Sequence, residues 1–301
     1  MRKSNSTKKS QKKTKTLSRK KTSFVKASCA PTAEKKEYTC YSDNALTKMK
    51  NLWNARHPDS KIMSDDKREI WNHLKTNLQE VCDSENCWLK QEFITNNLDS
   101  ELNSYTFAPT SPKSWSKNKN EWLSSVDIEK VMKQFEKKYK CFEFIGPSPI
   151  DFDAHMLYNE CVWEELCHFD LKSLLSKGKN KIGIIFNTDP HYKDGSHWIS
   201  MFIHIKKGYI FYFDSNGNPV PKEIKILADR IIKQANSLNI PLKFDQNYPM
   251  EHQYSNTECG MYSLYFIIQL LRETHDITFF KDHRIKDKDM ENLRSEYFNI
   301  G

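Results

Sequence analysis

Residues 256–266 read Asn-Thr-Glu-Cys-Gly-Met-Tyr-Ser-Leu-Tyr-Phe and decide both the fold and the chemistry expected of the chain. Asn256 or Thr257 is a favourable helix N-cap, and apolar residues follow at helical spacing, at positions 261, 264, 265, 268 and 271. Cys259 is therefore predicted in the first turn of a buried helix, where free backbone N–H groups and the helix dipole favour a thiolate. Gly260 leaves no side chain in the way of an approaching backbone. The pattern indicates a nucleophile, although an inert buried cysteine near a helix start is the alternative on this segment alone.

Basic residues are concentrated at the N-terminus. The chain has 301 residues and a formal net charge of +8. Residues 1–26 contain 11 lysines and arginines and no acid, so subtracting 11 from +8 leaves about −3 for the remainder. Residues 1–36 have few large apolar side chains, which predicts a disordered basic arm. Such an arm is either a plain solvated tail or a contact to DNA or another polyanion, because it binds phosphates without reading sequence.

The eight cysteines are scattered, with no Cys-x-x-Cys pair and no Cys/His group at the usual spacing of a zinc site. We therefore expect free thiols, a reducing compartment and no metal. No apolar segment follows the basic N-terminus as it would in a secretory signal. The most apolar stretch, residues 264–271, is too short to cross a bilayer, so no membrane span is expected.

Helical periodicity dominates residues 37–110, which are predicted to form a small helical accessory domain. Residues 111–301 are predicted to form the catalytic core. They combine helical segments with strands expected at 142–145, 181–186, 197–205, 209–213 and 242–244. The predicted fold class is α+β, a mixed central sheet packed with helices and a catalytic cysteine at a helix N-terminus.

His197 is the candidate base, because residues 194–196 (Asp-Gly-Ser) form a turn that places it at the start of a strand. Residues 206–208 form a hairpin turn into the next strand, which ends at Asp214. An antiparallel hairpin sets the start of one strand beside the end of the next, so His197 and Asp214 are predicted to be neighbours. The alternative is a histidine at the rim of the sheet and an aspartate that caps a turn.

Acyl transfer also requires hydrogen-bond donors for an oxyanion. The backbone N–H of Cys259 is one candidate. Gln253 lies six positions upstream and is the predicted second donor, whereas Asn256 is assigned to helix capping.

Several short motifs occur in one order along the chain: Gly195-Ser196-His197-Trp198, Phe213-Asp214-Ser215, Gln253 and Glu258-Cys259-Gly260. In this order they resemble the cysteine proteases of the SUMO-deconjugating clan, which includes the adenovirus maturation protease. Residues 186–189, 197–198, 215–218 and 257–260 are similar to the polyprotein-processing protease of African swine fever virus and its relatives in other large DNA viruses. The resemblance covers residues 118–301.

The resemblance implies His197 as base, Asp214 as its orienting partner, Cys259 as nucleophile and Gln253 in the oxyanion hole. It implies no metal and no cofactor. In the swine fever enzyme the position of Asp214 resembles Asn, whereas the deconjugating proteases carry Asp there.

The resemblance further implies that Trp122 and Trp198 clamp a Gly-Gly segment of substrate, because only glycine lets a backbone pass between two large rings. The alternative for Trp122 is a core anchor. Ser125 stands where the deconjugating enzymes carry Asp, which weakens the expectation that a folded ubiquitin-like partner is recognised.

The predicted function is a cysteine endopeptidase that cleaves viral structural polyprotein precursors at Gly-Gly-X sites during virion maturation. Its expected location is the host cytoplasm (the virus factory) and the virion. One alternative is a deconjugase of SUMO or other ubiquitin-like proteins. Another is a non-enzymatic nucleic-acid-binding protein with a decayed protease fold.

Overall fold

A computed structural model of the chain describes residues 24–34, 36–95 and 105–299. Its centre is a five-stranded mixed sheet in the order β1-β2-β3-β4-β5. The strands are β1 Phe142–Pro149, β2 Lys181–Asn187, β3 Trp198–His204, β4 Tyr209–Phe213 and β5 Lys243–Gln246. β1 and β2 are parallel, β2, β3 and β4 are antiparallel, and β4 and β5 are parallel. The predicted α+β class is confirmed.

Helices cover both faces of this sheet. The α-helices are Asp43–Arg56, Lys67–Leu78, Glu92–Thr95, Ser125–Lys138, Glu164–Cys167, Leu171–Ser176, Lys222–Ser237, Cys259–Arg272, Ile277–Asp282 and Asp287–Tyr297. Short 3₁₀ helices lie at Glu85–Lys90, Lys113–Ser116 and Leu157–Asn159. Among the described residues, no helix is both long and apolar enough to cross a membrane.

Successive side chains of β3 and β4 point to opposite faces of the sheet, and this divides the core into two clusters. Phe202 and Phe211 face one side, where they pack with the helix Cys259–Arg272. Ile203 and Ile210 face the other side, where they pack with the helix Lys222–Ser237. All of these strand side chains are buried, because successive residues of a strand point to opposite faces and both faces here are covered. The sheet therefore holds the Cys259 helix rigidly against one face.

A third cluster lies N-terminal to the sheet and includes apolar residues of the helices Asp43–Arg56 and Lys67–Leu78. At its centre is a buried carboxylate, Glu85, which accepts hydrogen bonds from Thr39 Oγ1 (2.6 Å) and Trp71 Nε1 (2.9 Å). Burial raises the pKa of Glu85, although these donors and a backbone N–H oppose the shift.

The end of the predicted arm is not disordered. Ala27 and Ala30 are buried, and the backbone N–H of Ala30 donates to the carbonyl of Thr106 at 3.0 Å. The prediction of a disordered arm over residues 1–36 is therefore wrong for residues 24–34. These small side chains have little apolar surface of their own, but they fit against a core that the composition of the arm did not reveal. Residues 1–23 lie outside the described part of the chain.

The expectation that the cysteines are free thiols is also wrong for six of the eight. Cys29 is joined to Cys40, Cys82 to Cys87 and Cys161 to Cys167. Cys141 and Cys259 carry free thiols. The spacing of cysteines along the chain does not determine how they pair. Pairing depends on which Cα atoms the fold brings within bonding reach.

Candidate active site

The hairpin of β3 and β4 brings His197 and Asp214 together. His197 immediately precedes β3, Asp214 immediately follows β4, and Ser200 pairs with Phe213 in the register between them. His197 Nε2 lies 2.6 Å from Asp214 Oδ1, a short charge-assisted hydrogen bond. The predicted proximity of the two residues is confirmed.

Asp214 is fixed by its own neighbours. The backbone N–H of Asn216 donates to the same Oδ1 at 2.9 Å. Asn247 pairs with the backbone of Asp214: its Nδ2 donates to the carbonyl at 2.7 Å and its Oδ1 accepts the N–H at 2.9 Å. Because Asp214 is also buried, its carboxylate has one orientation, toward the imidazole.

Cys259 is the first residue of the helix Cys259–Arg272 and is buried. The residue that precedes this helix is Glu258, whose side chain makes no capping hydrogen bond. The prediction that Asn256 or Thr257 caps the helix is therefore wrong. The first backbone N–H groups of the helix have no partner within it, so they and the helix dipole can stabilise a thiolate at Cys259 or an anion bound beside it.

The His197 imidazole interacts with both Asp214 and Cys259. Burial disfavours its charged form, but the hydrogen bonds and charges of Asp214 and Cys259 outweigh burial and raise the pKa of His197 from 6.5 to about 9. Since Nε2 is turned to Asp214, Nδ1 is the nitrogen that can exchange a proton with the sulfur. The imidazole therefore holds a proton at neutral pH, as transfer to a leaving amine requires.

Gln253 is buried close to this group of residues. Its Oε1 accepts from Ser215 Oγ at 2.8 Å, and its Nε2 donates to the carbonyl of Ser255 at 2.7 Å. Ser215 directly follows Asp214, so the amide is tied to the segment that holds the acid. A primary amide has two N–H groups, and the bond to Ser255 uses one of them. The role of Gln253 as an oxyanion donor stays a prediction.

Trp122 and Trp198 line one cleft of about 600 Å³, together with Asp194 and Gly195. Trp198 is almost fully buried, and its Nε1 donates to the carbonyl of Leu123 at 2.9 Å. Trp122 is 42% exposed, so it is not the core anchor considered as its alternative.

The helix after Trp122 begins at Ser125, because Ser124 caps it and forms a capping box with Asp127. The Ser124 side chain accepts the Asp127 N–H, and the Asp127 carboxylate accepts the Ser124 N–H at 3.0 Å. Trp122 and Leu123 therefore lie before the helix, in a segment that packs against the start of the Cys259 helix. A Cβ added at Gly260 would lie 3.0 Å from Leu123 Cβ, so glycine at this position permits close packing of that segment. This is a different reason for glycine from the one that the sequence suggested.

Residues 126–300 match the model of the Ulp1 protease family, C-terminal catalytic domain. The chain belongs to this family. It is a cysteine protease, and the expected kinship with the SUMO-deconjugating clan is confirmed. The alternative of a non-enzymatic nucleic-acid-binding protein is set aside.

Similar proteins come from large DNA viruses. A putative thiol protease of Acanthamoeba polyphaga mimivirus is 28% identical over 262 residues, which cover 81% of this chain and 84% of that protein. A cysteine protease of African swine fever virus is 27% identical over 258 residues, which cover 80% of this chain and 92% of that protein. The crystal structure of the selenomethionine form of an African swine fever virus protease superposes with a TM-score of 0.65. That superposition covers 91% of this chain and 96% of the other at 22% identity, so it supports the fold.

One further contact of this Ulp1-family protease was not expected from the sequence. Arg294, on the last helix, donates to both carboxylate oxygens of Glu258, with Nε–Oε2 at 2.9 Å and Nη2–Oε1 at 3.0 Å. Its Nη1 donates to the carbonyl of Glu121 at 2.9 Å. One guanidinium thus joins the residue before Cys259 to the residue before Trp122. The only signal was an acid next to the cysteine and an arginine in the last predicted helix, 36 residues apart.

Proposed function

We propose that this protease cleaves viral structural polyprotein precursors after Gly-Gly, with Cys259 as nucleophile and His197 as general acid and base. The observation that carries the chemistry is the imidazole placed between the Asp214 carboxylate, at 2.6 Å, and the sulfur of Cys259. Asp214 acts as the orienting partner, because it fixes the ring and stabilises its charged form.

In the first step the Cys259 thiolate attacks the carbonyl carbon of the second glycine. The oxygen that becomes negative lies by the first turn of the Cys259 helix, where the Cys259 N–H is free to donate. Gln253 supplies the second donor through the N–H that Ser255 does not use. His197 then protonates the leaving amine, and a thioester is left on the sulfur. Water, deprotonated by His197, attacks the thioester carbonyl; this breaks the C–S bond, releases the acid, and restores the Cys259 thiolate and the protonated imidazole.

The cleft between Trp122 and Trp198 supports the preference for glycine. Its walls are tied to the nucleophile: the Trp198 indole bonds to Leu123, and Leu123 packs against Gly260 beside Cys259. In this proposal the substrate strand lies between the two rings, where the last two residues before the scissile bond fit best without a side chain. An added methyl at either position should cost on the order of 1–3 kcal/mol of transition-state binding, about 10- to 200-fold in kcat/KM.

The relatives also support a viral setting for the reaction. From them we propose viral precursors as the substrates, and the virus factory and the virion as the locations. Both relatives are proteins of large DNA viruses. One of the swine fever virus relatives is named a SUMO-1 cysteine protease, which favours a deconjugase as the second candidate function. A deconjugase requires a surface for a folded ubiquitin-like protein, whereas a precursor protease requires only an extended strand.

The test compares kcat/KM for peptides that contain Gly-Gly-X, Gly-Ala-X and Ala-Gly-X, with cleavage sites located by mass spectrometry. Cleavage after the second glycine, with both alanine peptides slower by about tenfold or more, is expected. Trp122→Ala should reduce this discrimination, whereas Ile226→Ala, which removes an exposed apolar side chain from the helix on the other face of the sheet, should not.

Equal rates on the three peptides would contradict the Gly-Gly assignment. Cleavage of SUMO conjugates at a kcat/KM far above that of any peptide would instead favour the deconjugase.

A further inference from the structure

Cysteine and histidine side chains gather in the connection between β1 and β2, apart from the catalytic residues. The ligand atoms of His155, Cys161 and Cys167 all lie within 4.8 Å of one another, and so do those of Cys161, Glu164 and His168. Cys161 belongs to both groups. Its Sγ lies 3.9 Å from His155 Nε2 and 3.7 Å from His168 Nε2.

The local backbone explains why these side chains converge. His155 and Cys161 face each other across an antiparallel bridge, and the Val162 N–H donates to the Ala154 carbonyl at 2.9 Å. The short helix Glu164–Cys167 follows at once, and the His168 N–H donates to the Glu164 carbonyl at 2.9 Å. A small hairpin therefore supplies two ligand side chains, and the end of a helical turn supplies Cys167 and His168.

We propose that, when Cys161 and Cys167 are reduced, these two thiolates bind one zinc ion together with His155 and His168. Zinc bonds of about 2.3 Å to sulfur and about 2.0 Å to nitrogen place tetrahedral ligand atoms about 3.3–3.8 Å apart. The observed separations of 3.7 and 3.9 Å between Cys161 Sγ and the two imidazole nitrogens are close to that spacing. Two cysteines and two histidines are a usual ligand set for structural zinc.

The redox state decides which cross-link forms. The structure joins Cys161 to Cys167, so a thiol or phosphine reductant must first supply two electrons and break the S–S bond into two thiols. Zinc then replaces the two thiol protons, and the two thiolates balance its charge. The same side chains thus form a disulfide under oxidising conditions and a metal site under reducing conditions.

Glu164 interacts with this cluster, and its contact with His168 must break when the ion binds. Its Oε1 accepts the Cys161 backbone N–H at 3.1 Å, and its Oε2 lies 3.2 Å from His168 Nε2. Zinc binds a neutral imidazole through its lone pair, so the ion replaces the contact between Glu164 and His168. The bond to the Cys161 N–H can persist and hold the hairpin in place.

Either cross-link fixes a segment that contacts the region before the catalytic histidine. Upstream of the cluster, Asp151 accepts hydrogen bonds from the His191 backbone N–H and Nδ1, at 2.8 and 2.7 Å. Downstream, the Leu166 carbonyl accepts from Arg230 at 2.7 Å, and Leu166 is buried. The proposed ion would therefore have a structural role: it would hold this segment in place and would take no part in the reaction.

The experiment uses the full chain, reduced with a phosphine and freed of metal, with Co²⁺ and Zn²⁺ as probes. One equivalent of Co²⁺ should give the thiolate charge-transfer and visible bands of a tetrahedral site, and one equivalent of Zn²⁺ should displace it. Zinc should also protect Cys161 and Cys167 from alkylation, mapped by mass spectrometry, in the unmutated protein.

The variants separate this site from other thiols. Cys161→Ser/Cys167→Ser should lose the cobalt spectrum, and His155→Ala or His168→Ala should weaken zinc binding by about tenfold or more. Both histidines are exposed, so these two changes leave the core intact. Cys82→Ser/Cys87→Ser is the matched control, since this pair belongs to no such cluster in the described part of the chain.

Retention of the spectrum in Cys161→Ser/Cys167→Ser would overturn the proposal. So would failure of the reduced protein to bind an equivalent of zinc, or equal alkylation of Cys161 and Cys167 with and without the metal.

Discussion

Asp214→Asn tests how the raised pKa of His197 arises. The rise from 6.5 to about 9 corresponds to roughly 3 kcal/mol of preference for the charged ring, at about 1.36 kcal/mol per unit. Asp214 contributes through both its hydrogen bond and its charge. An asparagine keeps an oxygen that can accept from Nε2 and from the Asn216 N–H, but it removes the charge. We expect the pKa of His197 to fall by about 1–2 units, the usual effect of one nearby opposite charge.

The assay is kcat/KM for a fluorogenic Gly-Gly-X peptide as a function of pH, which reports groups of the free enzyme. Wild type should lose activity as the pH rises through about 9, where the protonated imidazole is lost. The Asp214→Asn variant should keep most of its activity at pH 6 and lose it at a lower pH than wild type does. Asp229→Asn, the same change at a surface carboxylate paired with Lys225, is the control and should leave the profile unchanged.

The free energy of unfolding should depend on pH through the same titration of His197. A histidine whose pKa is raised on folding stabilises the protein fully below its unfolded pKa of 6.5, and this contribution disappears as the pH rises through about 9. The free energy of unfolding of Asp214→Asn should therefore decrease less than that of wild type between pH 6.5 and 9.5. An active Asp214→Asn enzyme with an unmoved alkaline limb would refute the assignment of Asp214 as the cause.

Three further changes test the scaffold around the site. Gly260→Ala puts a methyl group 3.0 Å from Leu123 Cβ and should cost about 1–3 kcal/mol of stability and raise KM, as measured by denaturant unfolding and peptide kinetics. Arg294→Ala leaves the Glu258 carboxylate buried without its partner and should cost about 3–5 kcal/mol, seen as a lower Tm; an unchanged Tm would contradict the role given to this pair. If the basic arm contacts DNA, deleting residues 1–23 should weaken DNA binding and flatten its salt dependence without changing peptide cleavage; unchanged DNA binding would leave the solvated tail as the interpretation of the arm.

The parts of the site that the sequence predicted are those set by local rules. A short turn forces β3 and β4 to pair as a hairpin, so the proximity of His197 and Asp214 follows from chain order alone. Helical periodicity likewise placed Cys259 in the first turn of a buried helix.

The parts that were missed depend on contacts between distant segments. Glu258 occupies the N-cap position, but Arg294 holds its side chain, 36 residues later in the chain. Ala27 and Ala30 are buried because a core formed elsewhere accepts them, although the composition of residues 1–36 resembles a solvated tail. The cysteine pairs belong to the same class, since the fold decides which sulfurs meet.

The most direct test of the account is the rate of Gly-Gly-X peptide cleavage by wild type, Cys259→Ser, His197→Ala and Cys141→Ser. Cys141 carries the other free thiol of the described chain and serves as the matched control. Cys259→Ser and His197→Ala should each lose about a thousandfold or more in kcat, whereas Cys141→Ser should keep the wild-type rate. Cleavage at the wild-type rate by Cys259→Ser would contradict the assignment of Cys259 as the nucleophile.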